Sequence, residues 1–532
     1  EGLSGSQKMG RLLLKPVWKE QPADVDRPKV DYTVHRVLLC GFNALFDDLR
    51  AKIKMKMPRA VVTQVQSPAG ALEKRFHHAS LQLFDTIQGI LKEKPSGPVL
   101  IQVLTVNRGP EQVYTALAGL LKTARLENPK ITGQVIAVEP DLSVESIYAK
   151  LTENRFDRRA AQISYTRDKR FVAGLTPIAK HKAAPQSPWK EGGVCLITGG
   201  LGGLGLIFAQ AIVASTRAVT LILTGRSALD ERKEQTLEKL RAFGAAVEYH
   251  PVDVTDKKAV ERLMQGIEQR HGKLTAILHC AGVHHDDFMV KKKRRDFTAV
   301  LAPKTAGTVN LDRAAKEIPL DFFILFSSTS GVWGNVGQGD YAAANGFMDA
   351  YAHYRNSLVD KGRRRGKTLS INWPLWKEGG MGVDGATAQL MRRNTGMTAM
   401  SSQDGLAALN ESLWSRAGQL LVMTGDIKRI EQKLLPSIKV EPSSKSSHAP
   451  HQAPSAPDAQ RLMSLLQKDF TQRISQLIKI DVGDLDVKDE LSEYGFDSIS
   501  FTEFTNQVNQ RFQLALMPTL FFEYPTIESF AR

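Results

Sequence analysis

Three polar residues whose spacing suits catalysis lie in one short stretch of the chain. Ser328 follows an apolar, strand-like run, Tyr341 opens a helical pattern, and Asn345 lies one helical turn later. Reduction of a ketone requires a hydride and a proton, and a tyrosine hydroxyl can donate that proton when a nearby cation lowers its pKa. A serine hydroxyl can hold the carbonyl oxygen while negative charge develops on it. Isolated serine and tyrosine residues are ordinary hydrogen-bonding groups in most proteins, so the hypothesis depends on the arrangement.

A glycine-rich turn after an apolar strand could place a dinucleotide beside these residues. Residues 194–205 read VCLITGGLGGLG and lead into an apolar helix, which is the order of strand, turn and helix that a diphosphate site requires. Without Cβ atoms the chain can turn tightly and bring the free N–H groups of the helix N-terminus against the phosphates. A tight loop without a ligand is the alternative, because glycine-rich turns alone are a weak signal. The candidate cofactor-binding residues in this segment are Thr198, Gly199, Gly200, Gly203, Leu204 and Gly205.

The ends of the following strands indicate which dinucleotide is bound. Arg226 and Ser227 follow the second strand, where an NAD enzyme would carry an acidic residue for the ribose hydroxyls. A guanidinium and a hydroxyl suit a 2′-phosphate, so we predict that NADPH is preferred over NADH. Two further strand ends complete the predicted site, one beside the adenine and one beside the nicotinamide. They supply Asp253, Val254, Cys280, Ala281 and Gly282.

The elements that must position these residues alternate short β-branched runs with helical patterns, which is typical of a parallel sheet covered by helices on both faces. The predicted strands are residues 37–40, 61–65, 99–105 and 133–138 in the first half and 194–198, 220–223, 247–252, 274–279, 322–327 and 368–372 in the second, with first-half helices at 71–92 and 111–126. After its first strand the N-terminal half reads GFNAL, whose bulky side chains would exclude a diphosphate. We therefore predict that residues 11–185 are structural.

Two breaks in the pattern divide the chain. A weak break at residues 180–193 separates the two halves. At residues 436–457, Pro, Ser, His and Ala replace any hydrophobic periodicity, which is typical of a flexible linker. Residues 459–532 hold 7 Lys and Arg against 11 Asp and Glu, a net charge of −4, whereas the whole chain carries +15. We expect the acidic terminal segment to be attracted to the basic body.

The stretch around Tyr341 resembles the active site of the ketoreductases of modular polyketide synthases, which are relatives of the short-chain dehydrogenases. In that family the catalytic serine precedes the tyrosine by thirteen residues, which selects Ser328 over Ser327, and an asparagine follows the tyrosine by four. The resemblance therefore implies catalytic roles for Tyr341, Ser328 and Asn345. It also implies that the catalytic lysine is Lys304, at the start of the preceding helix.

The same resemblance implies the fold and the domain boundaries. The fold class is α/β, with two Rossmann-like, doubly wound parallel-sheet subdomains, the first truncated and cofactor-free, followed by a small all-α, four-helix carrier domain. The implied boundaries are a structural subdomain at residues 11–185, a catalytic NADPH-binding subdomain at 190–435, a linker at 436–457 and a carrier domain at 458–532. A lid beside the active site is implied at residues 373–381, whose paired glycines would permit movement.

The C-terminal segment resembles an acyl carrier domain. An amphipathic helix at residues 461–478 is followed by GFDS at 495–498, at a predicted helix start, and by the tail LFFEYPTI at 520–527. Ser498 is implied as the attachment point of 4′-phosphopantetheine, and simple capping of its helix is the alternative. The implied partners are a phosphopantetheinyl transferase, a carrier-bound β-ketoacyl substrate and neighbouring synthase domains. These include a ketosynthase and, as the turn GNVGQGDYAAAN indicates, an acyltransferase on a separate protein.

Two residues give opposing indications of which face of the ketone receives the hydride. In the family that the chain resembles, an Asp three residues after the Val of an Ala-Gly-Val turn accompanies D-configured alcohols, and Asp286 stands there. A Trp five residues beyond the catalytic serine accompanies L-configured alcohols, and Trp333 occupies that position. We favour the D alcohol, because an Asp can guide the pantetheine arm to one side of the groove whereas an aromatic residue can also be explained by packing.

Other features argue against competing classes of protein. Four consecutive residues, HHDD at 284–287, cannot all converge on one ion, so we predict no metal. The basic run at 291–295 lacks interleaved aromatic residues, so we predict a solvated helical face and no nucleic-acid partner. The three cysteines, the lack of any run of ~18 apolar residues and the N-terminal sequence predict a cytoplasmic protein with buried thiols and no membrane contact.

Two alternatives stay open at this point. One is a free-standing alcohol dehydrogenase with a fortuitous tail, against which the carrier motif and the glycine-poor first half both argue. The other is a catalytically inactive reductase that serves as a scaffold and docking surface for the carrier domain. The presence of Ser328, Tyr341, Asn345 and Lys304 argues against that second alternative.

Overall fold

The computed structural model describes residues 9–24, 29–65, 70–178, 187–216, 218–383, 385–435, 456–496, 498–512, 514, 516 and 520–532. The strands are β1 (Met9–Glu20), β2 (Val34–Leu39), β3 (Ala60–Gln64), β4 (Val99–Val106), β5 (Ile131–Val138), β6 (Gln162–Thr166), β7 (Lys169–Pro177), β8 (Val194–Thr198), β9 (Thr220–Gly225), β10 (Ala246–Pro251), β11 (Ala276–His279), β12 (Phe322–Ser328), β13 (Lys367–Trp373) and β14 (Gln419–Asp426). The helices of the ketoreductase-like part are α1 (Phe46–Lys56), α2 (Leu72–Lys92), α3 (Leu117–Glu127), α4 (Val144–Asn154), α5 (Gly203–Ser215), α6 (Glu231–Arg241), α7 (Lys257–His271), α8 (Arg294–Ala314), α9 (Thr329–Trp333), α10 (Gly339–Asp360), α11 (Gly385–Thr395), α12 (Ser402–Trp414) and α13 (Ile427–Leu434). Those of the C-terminal part are α14 (Ala456–Ile478), α15 (Ser498–Phe512), α16 (Leu520–Glu523) and α17 (Ile527–Ala531). Across these described ranges, no helix is both long and apolar enough to cross a membrane.

The described strands form a single sheet in the order β10-β9-β8-β11-β12-β13-β14-β1-β7-β6-β5-β4-β2-β3. From β10 to β14 every neighbouring pair is parallel, and so is every pair from β6 to β3. The α/β class with Rossmann-like parallel sheets is therefore confirmed. In the second half, the carboxyl ends of the parallel strands lie at the same edge of the sheet. The candidate site residues lie at this edge.

The two halves are joined by an antiparallel seam that the sequence did not predict. Strand β1 pairs with β14 on one side, with Met9 opposite Asp426, and with β7 on the other, with Leu14 opposite Pro177. Residues 11–185 were predicted as a unit of their own, yet their first strand lies against the last strand of the catalytic half. The predicted strands omit β1, β6, β7 and β14. In β1 and β7 few positions are fully buried, so neither has the pattern of a buried strand.

The central strands of both halves are covered on two faces, which explains their apolar composition. Every residue of β4 and of β5 is buried. Helices α2 and α3 pack on one face of these strands, and α1 and α4 pack on the other. Each fully buried Leu, Ile, Val or Phe side chain there contributes about 1.5–3 kcal/mol relative to its exposed state.

The C-terminal segment builds a separate helical core from aromatic residues. Phe470 of α14, Phe504 of α15 and Phe521 of α16 are buried together, and the Phe521 and Phe530 rings lie 4.2 Å apart. This helical content agrees with the predicted carrier domain. The predicted linker at 436–457 lies outside the described residues except for its last two, since α14 begins at Ala456.

Candidate active site

The three residues from the catalytic stretch converge at the carboxyl end of β12. Ser328 ends that strand and caps α9, where its Oγ accepts a hydrogen bond from the Ser330 backbone N–H at 3.2 Å. Tyr341 lies in the first turn of α10, and the Asn345 side-chain amide donates to the Tyr341 carbonyl oxygen at 2.8 Å. Ser327 is buried and its hydroxyl donates to the Asn345 carbonyl oxygen at 3.1 Å, whereas Ser328 is half-buried.

Lys304 approaches the same point from a different helix. It was predicted at the start of that helix, but α8 begins at Arg294, so Lys304 lies near its middle, directly after the internal Pro303. Its Nζ donates to the Phe326 carbonyl oxygen at 2.7 Å and lies 5.7 Å from the centre of the Tyr341 ring. Burial lowers the pKa of Lys304 to about 8, although the neighbouring Cys280 and Asp349 act to raise it.

The electrostatics of Tyr341 reflect its enclosed position. Burial raises the pKa of its hydroxyl, and the Asp286 carboxylate raises it further, while the polar side chains of Asn345 and Ser328 act to lower it. Among the described residues, no hydrogen-bond partner reaches the buried Oδ1 of Asn345, which leaves one acceptor available beside the tyrosine. This arrangement can hold a carbonyl oxygen near the Ser328 and Tyr341 hydroxyls and pass it a proton from Tyr341.

A buried ion pair next to the tyrosine was not found by sequence reasoning. Lys292 and Asp340 are both almost inaccessible to solvent, and the Lys292 Nζ donates to Asp340 Oδ2 at 2.8 Å. Asp340 Oδ1 accepts from the Tyr341 backbone N–H at 2.8 Å, and Lys292 also donates to the His285 carbonyl oxygen. The prediction that residues 291–295 form a solvated helical face was therefore wrong for Lys292, because its charge is neutralised inside the protein.

The glycine turn has the backbone geometry that a diphosphate site needs. Gly199 has a φ of +65°, which favours glycine, and a Cβ on Gly205 would lie 2.3 Å from the Gly199 carbonyl oxygen. A Cβ on Gly203 would lie 2.3 Å from the Gly379 carbonyl oxygen in the predicted lid. The turn therefore fits a dinucleotide, and Gly203 has the additional role of admitting the lid loop.

The predicted cofactor residues lie at adjoining strand ends. Arg226 and Ser227 are exposed directly after β9, and the Ser227 carbonyl oxygen accepts from the Tyr249 hydroxyl at 2.7 Å. Asp253 is exposed, and the buried Val254 is tied to α8 through its carbonyl oxygen, which accepts from the Asn310 amide at 3.0 Å. Of the remaining members, Gly200 lies in the turn after β8, Leu204 lies in the first turn of α5, and Cys280, Ala281 and Gly282 directly follow β11.

His279 is a second residue that the sequence did not single out. It is fully buried at the end of β11, and burial lowers its pKa to about 3, so the ring is neutral. One ring nitrogen lies 2.7 Å from Thr198 Oγ1 and the other 3.0 Å from the Pro303 carbonyl oxygen. Thr198 Oγ1 also accepts from the Ala281 backbone N–H at 3.3 Å. This chain of contacts ties the cofactor turn to the helix that carries Lys304.

The two stereochemical indicators occupy different surroundings. Asp286 is exposed, and its Oδ2 accepts from the Gln338 amide at 2.7 Å, within the electrostatic range of Tyr341. Trp333 ends α9 and packs against the apolar cluster that contains Leu14 and Leu421. It lines a cavity of about 320 Å³ at the seam between the two halves, together with Lys122 and Gly346.

The carrier attachment site lies at the start of α15. Ser498 is the first residue of this helix, and the orientation of its side chain lies outside the described structure, as does Asp497. One turn along the helix, the Phe501 ring centre is 5.7 Å from the Nζ of Lys291 in the basic run. Capping of α15 by Ser498 stays the alternative prediction for this residue.

Comparisons with known proteins agree with this geometry. A family described as the KR domain matches residues 193–378, and one described as the phosphopantetheine attachment site matches residues 468–532. The crystal structure of a ketoreductase domain from the bacillaene assembly line is 39% identical, with a TM-score of 0.74 over 80% of this chain and 100% of that one. This chain belongs to the ketoreductases of modular polyketide synthases. The polyketide synthase ketoreductase is followed here by a carrier domain.

Whole synthases provide the longer relatives of this ketoreductase and carrier. Polyketide synthase PksN of Bacillus subtilis is 42% identical over 98% of this chain, and PksL of the same organism is 38% identical over 99%. The chain spans only 9% and 12% of their respective lengths. Ketoreductase domains are oxidoreductases that use NADPH as hydride source, and a phosphopantetheine attachment domain carries 4′-phosphopantetheine and so tethers acyl intermediates.

Proposed function

We propose that this ketoreductase reduces the ketone of a β-ketoacyl thioester, held on phosphopantetheine at Ser498, to a hydroxyacyl thioester with NADPH. The observation that carries the proposal is the convergence of Tyr341, Ser328 and Lys304 from three elements beside the glycine turn. Tyr341 donates the proton, Ser328 holds the carbonyl oxygen, and Lys304, whose Nζ lies 5.7 Å from the centre of the Tyr341 ring, supplies a positive charge beside the tyrosine. Asn345 holds the first turns of α10 together and offers its free acceptor beside the tyrosine.

The direct test is turnover of a β-ketoacyl thioester by the purified protein, followed by the loss of NADPH absorbance. Tyr341→Phe removes the proton donor without changing the ring, so we expect kcat to fall by a factor on the order of 100 or more. Binding of NADPH, followed by its fluorescence, should be unchanged. Tyr354→Phe on the same helix is the matched control and should retain activity. A Tyr341→Phe variant with near wild-type turnover would remove Tyr341 from the mechanism.

The inactive-scaffold alternative makes a contrary prediction for the same assay. A reductase that only docks the carrier would bind NADPH weakly and turn over no thioester at all. The buried ion pair of Lys292 with Asp340 favours activity, because its role beside Tyr341 is to fix the start of α10. Burial of two charges costs desolvation free energy, and a docking surface has no evident use for a buried ion pair at this place.

We further propose that the product is the D-configured alcohol. Asp286 lies near Tyr341 on the rim of the site, where its carboxylate can direct the approach of the pantetheine arm. Trp333 packs against the seam between the halves, which accounts for its position by packing alone. Chiral chromatography of the reduced thioester against both synthetic standards is the measurement. A predominantly L product would show that Trp333 is the better indicator.

The partners follow from this chemistry. The contact of Lys291 with Phe501 supports presentation of the substrate by the chain's own carrier, with the acidic carrier against the basic run. A phosphopantetheinyl transferase must load Ser498, and a neighbouring ketosynthase, with an acyltransferase on a separate protein, must supply the β-ketoacyl chain. Dependence of turnover on an added ketosynthase and acyltransferase, with simple extender units as substrates, tests that assignment.

A further inference from the structure

A buried carboxyl group lies behind the catalytic residues and takes no part in the mechanism described so far. Asp349 is on α10, two turns beyond Tyr341, and its exposed fraction is 6%. Its Oδ1 accepts from the Ser370 hydroxyl at 2.6 Å, and its Oδ2 accepts from the Asn372 amide at 2.7 Å. Both donors lie on β13, the strand next to the one that ends in Ser328. The carboxyl group therefore joins the tyrosine helix to the catalytic side of the sheet.

The Asn372 amide carries this connection to the catalytic serine. Its nitrogen lies 2.9 Å from the Ser328 carbonyl oxygen and 3.0 Å from Ser327 Oγ, and its own carbonyl oxygen accepts from Gln419 at 2.9 Å. Ser327 in turn donates to the Asn345 carbonyl oxygen at 3.1 Å. Asp349 is therefore linked to the Ser328 backbone through the Asn372 amide. It is linked to the Asn345 backbone through the same amide and the Ser327 hydroxyl.

Two cations face the same carboxyl group from other helices. Lys304 on α8 and Lys122 on α3 each have a pKa lowered by burial to about 8, and Asp349 acts to raise both. Lys122 donates to Val332 and Gln162, away from the reacting atoms. On α10 itself, the neighbouring His353 contacts Gln419, which orients Asn372.

We propose that Asp349 is a positioning residue of the reductase: it fixes Ser328 and Asn345 through Asn372 and Ser327, and its negative charge keeps Lys304 cationic. The inference rests on the proposed reduction and extends it to a residue that touches neither substrate nor cofactor. Burial raises the pKa of Asp349 to about 7, against the effect of its hydrogen bonds and of Lys304. Protonation as the pH falls through this value turns one carboxylate oxygen into a donor, so the hydrogen bonds from Ser370 and Asn372 must rearrange and the placement of Ser328 and Asn345 is lost.

Asp349→Asn tests the proposal because it keeps the shape and removes the charge. We expect kcat to fall about 10- to 100-fold, since the reacting groups lose their exact placement, with NADPH affinity little changed. The wild-type profile of kcat against pH should fall on the acid side near pH 7 and on the alkaline side near pH 8. In Asp349→Asn the acid limb should vanish and the alkaline limb should move to lower pH by about one unit.

Two further variants keep the test decisive. Ser370→Ala removes one donor from the carboxylate, so its pKa rises and the acid limb of the profile should move to higher pH. Asp157→Asn is the matched control, because Asp157 is equally buried but pairs with Arg170 in the structural half. That variant should lower Tm and leave both limbs in place.

The outcomes separate this inference from the proposed function. If wild-type protein reduces the thioester but Asp349→Asn and Ser370→Ala lower only Tm and leave the pH profile unchanged, Asp349 is purely structural and the positioning role is wrong. If Asp349→Asn does not fold, Ser370→Ala decides the question: an acid limb that moves to higher pH supports the positioning role, and an unchanged limb contradicts it. Absence of turnover in the wild-type protein would instead contradict the reduction itself.

Discussion

Arg226 is exposed and comes directly after β9, the strand that follows the glycine turn. A guanidinium in that place can form two charge-assisted hydrogen bonds to a phosphate, whereas a ribose hydroxyl offers it little. The 2′-phosphate is the only difference between NADPH and NADH, so the preference between them should depend on Arg226 together with the neighbouring Ser227.

Replacement of Arg226 by alanine should therefore discriminate between the two cofactors. Loss of a hydrogen bond to a charged group costs about 1.5–3 kcal/mol, so we expect KM for NADPH to rise about 10- to 100-fold. KM for NADH should stay within about twofold of its wild-type value. Arg232→Ala, an equally exposed arginine on the following helix, serves as control. Equal losses with both cofactors would place Arg226 outside the phosphate site.

The residues proposed to act directly on a ligand were recognisable from the sequence, whereas residues that act through tertiary contacts were not. Ser328, Tyr341 and Asn345 lie within one local stretch, so their types and spacing are visible before the fold is known. Lys292 pairs with Asp340, a residue far away in the chain, and nothing in the basic run distinguishes it from its exposed neighbours. Its burial is decided by packing, which a single sequence does not reveal.

At the scale of elements, the glycine turn and the lid form one unit. The lid loop after β13 rests with the Gly379 carbonyl oxygen against Gly203, at the start of α5. Trp376, also in the lid, packs in the same cluster as Phe208 of α5, with ring centres 5.7 Å apart. The helix that would face the diphosphate therefore also supports the loop that we predict to be a lid.

A methyl group at Gly203 should uncouple these two elements. In Gly203→Ala the new Cβ would approach the Gly379 carbonyl oxygen to 2.3 Å, so the lid loop must move. We expect kcat/KM for NADPH to fall by a factor on the order of ten or more, because small displacements near the reacting groups are costly. Gly382→Ala, in the same loop but with nothing within 4 Å of its Cβ, should behave as wild type. If both variants lose activity equally, the contact is unimportant.

Among the strands, too, some could be predicted from their own residues, whereas the place of others depends on partners far away in the chain. Fully buried parallel strands such as β4 and β5 appear as apolar runs, and their positions were predicted to within a few residues. In strand β1 only Leu13 and Leu14 are fully buried, and the strand contains Pro16 and Trp18, so it has no such run. Its place in the middle of the sheet is set by pairing with β14, at the other end of the ketoreductase.

The whole molecule combines a basic reductase with an acidic carrier. The carrier segment at residues 459–532 has a net charge of −4 within a chain of +15. Lys291 lies over the Phe501 ring, one turn from the proposed attachment point. Long-range attraction would raise the frequency with which the tethered substrate visits the site, and salt would weaken it.

Loading of the carrier can be measured on the intact chain. Treatment with coenzyme A and a phosphopantetheinyl transferase should raise the mass by one phosphopantetheine arm, because Ser498 begins a helix in the matched attachment domain. Ser498→Ala should abolish the shift, and Ser500→Ala, two residues along the same helix, should retain it. A shift that survives Ser498→Ala would assign the arm to another residue.

The antiparallel seam bears on how such reductases can be recombined between synthases. Strand β1 is synthesised long before β14, and until β14 emerges from the ribosome one long edge of β1 has no partner. Pairing over so large a separation closes late and exposes the growing chain to wrong partners. A crossover placed between the two halves would leave β1 from one parent against β14 from the other, with six register pairs to match. Because β1 also pairs with β7 of the first half, exchange should succeed best when β1, β7 and β14 all come from the same parent.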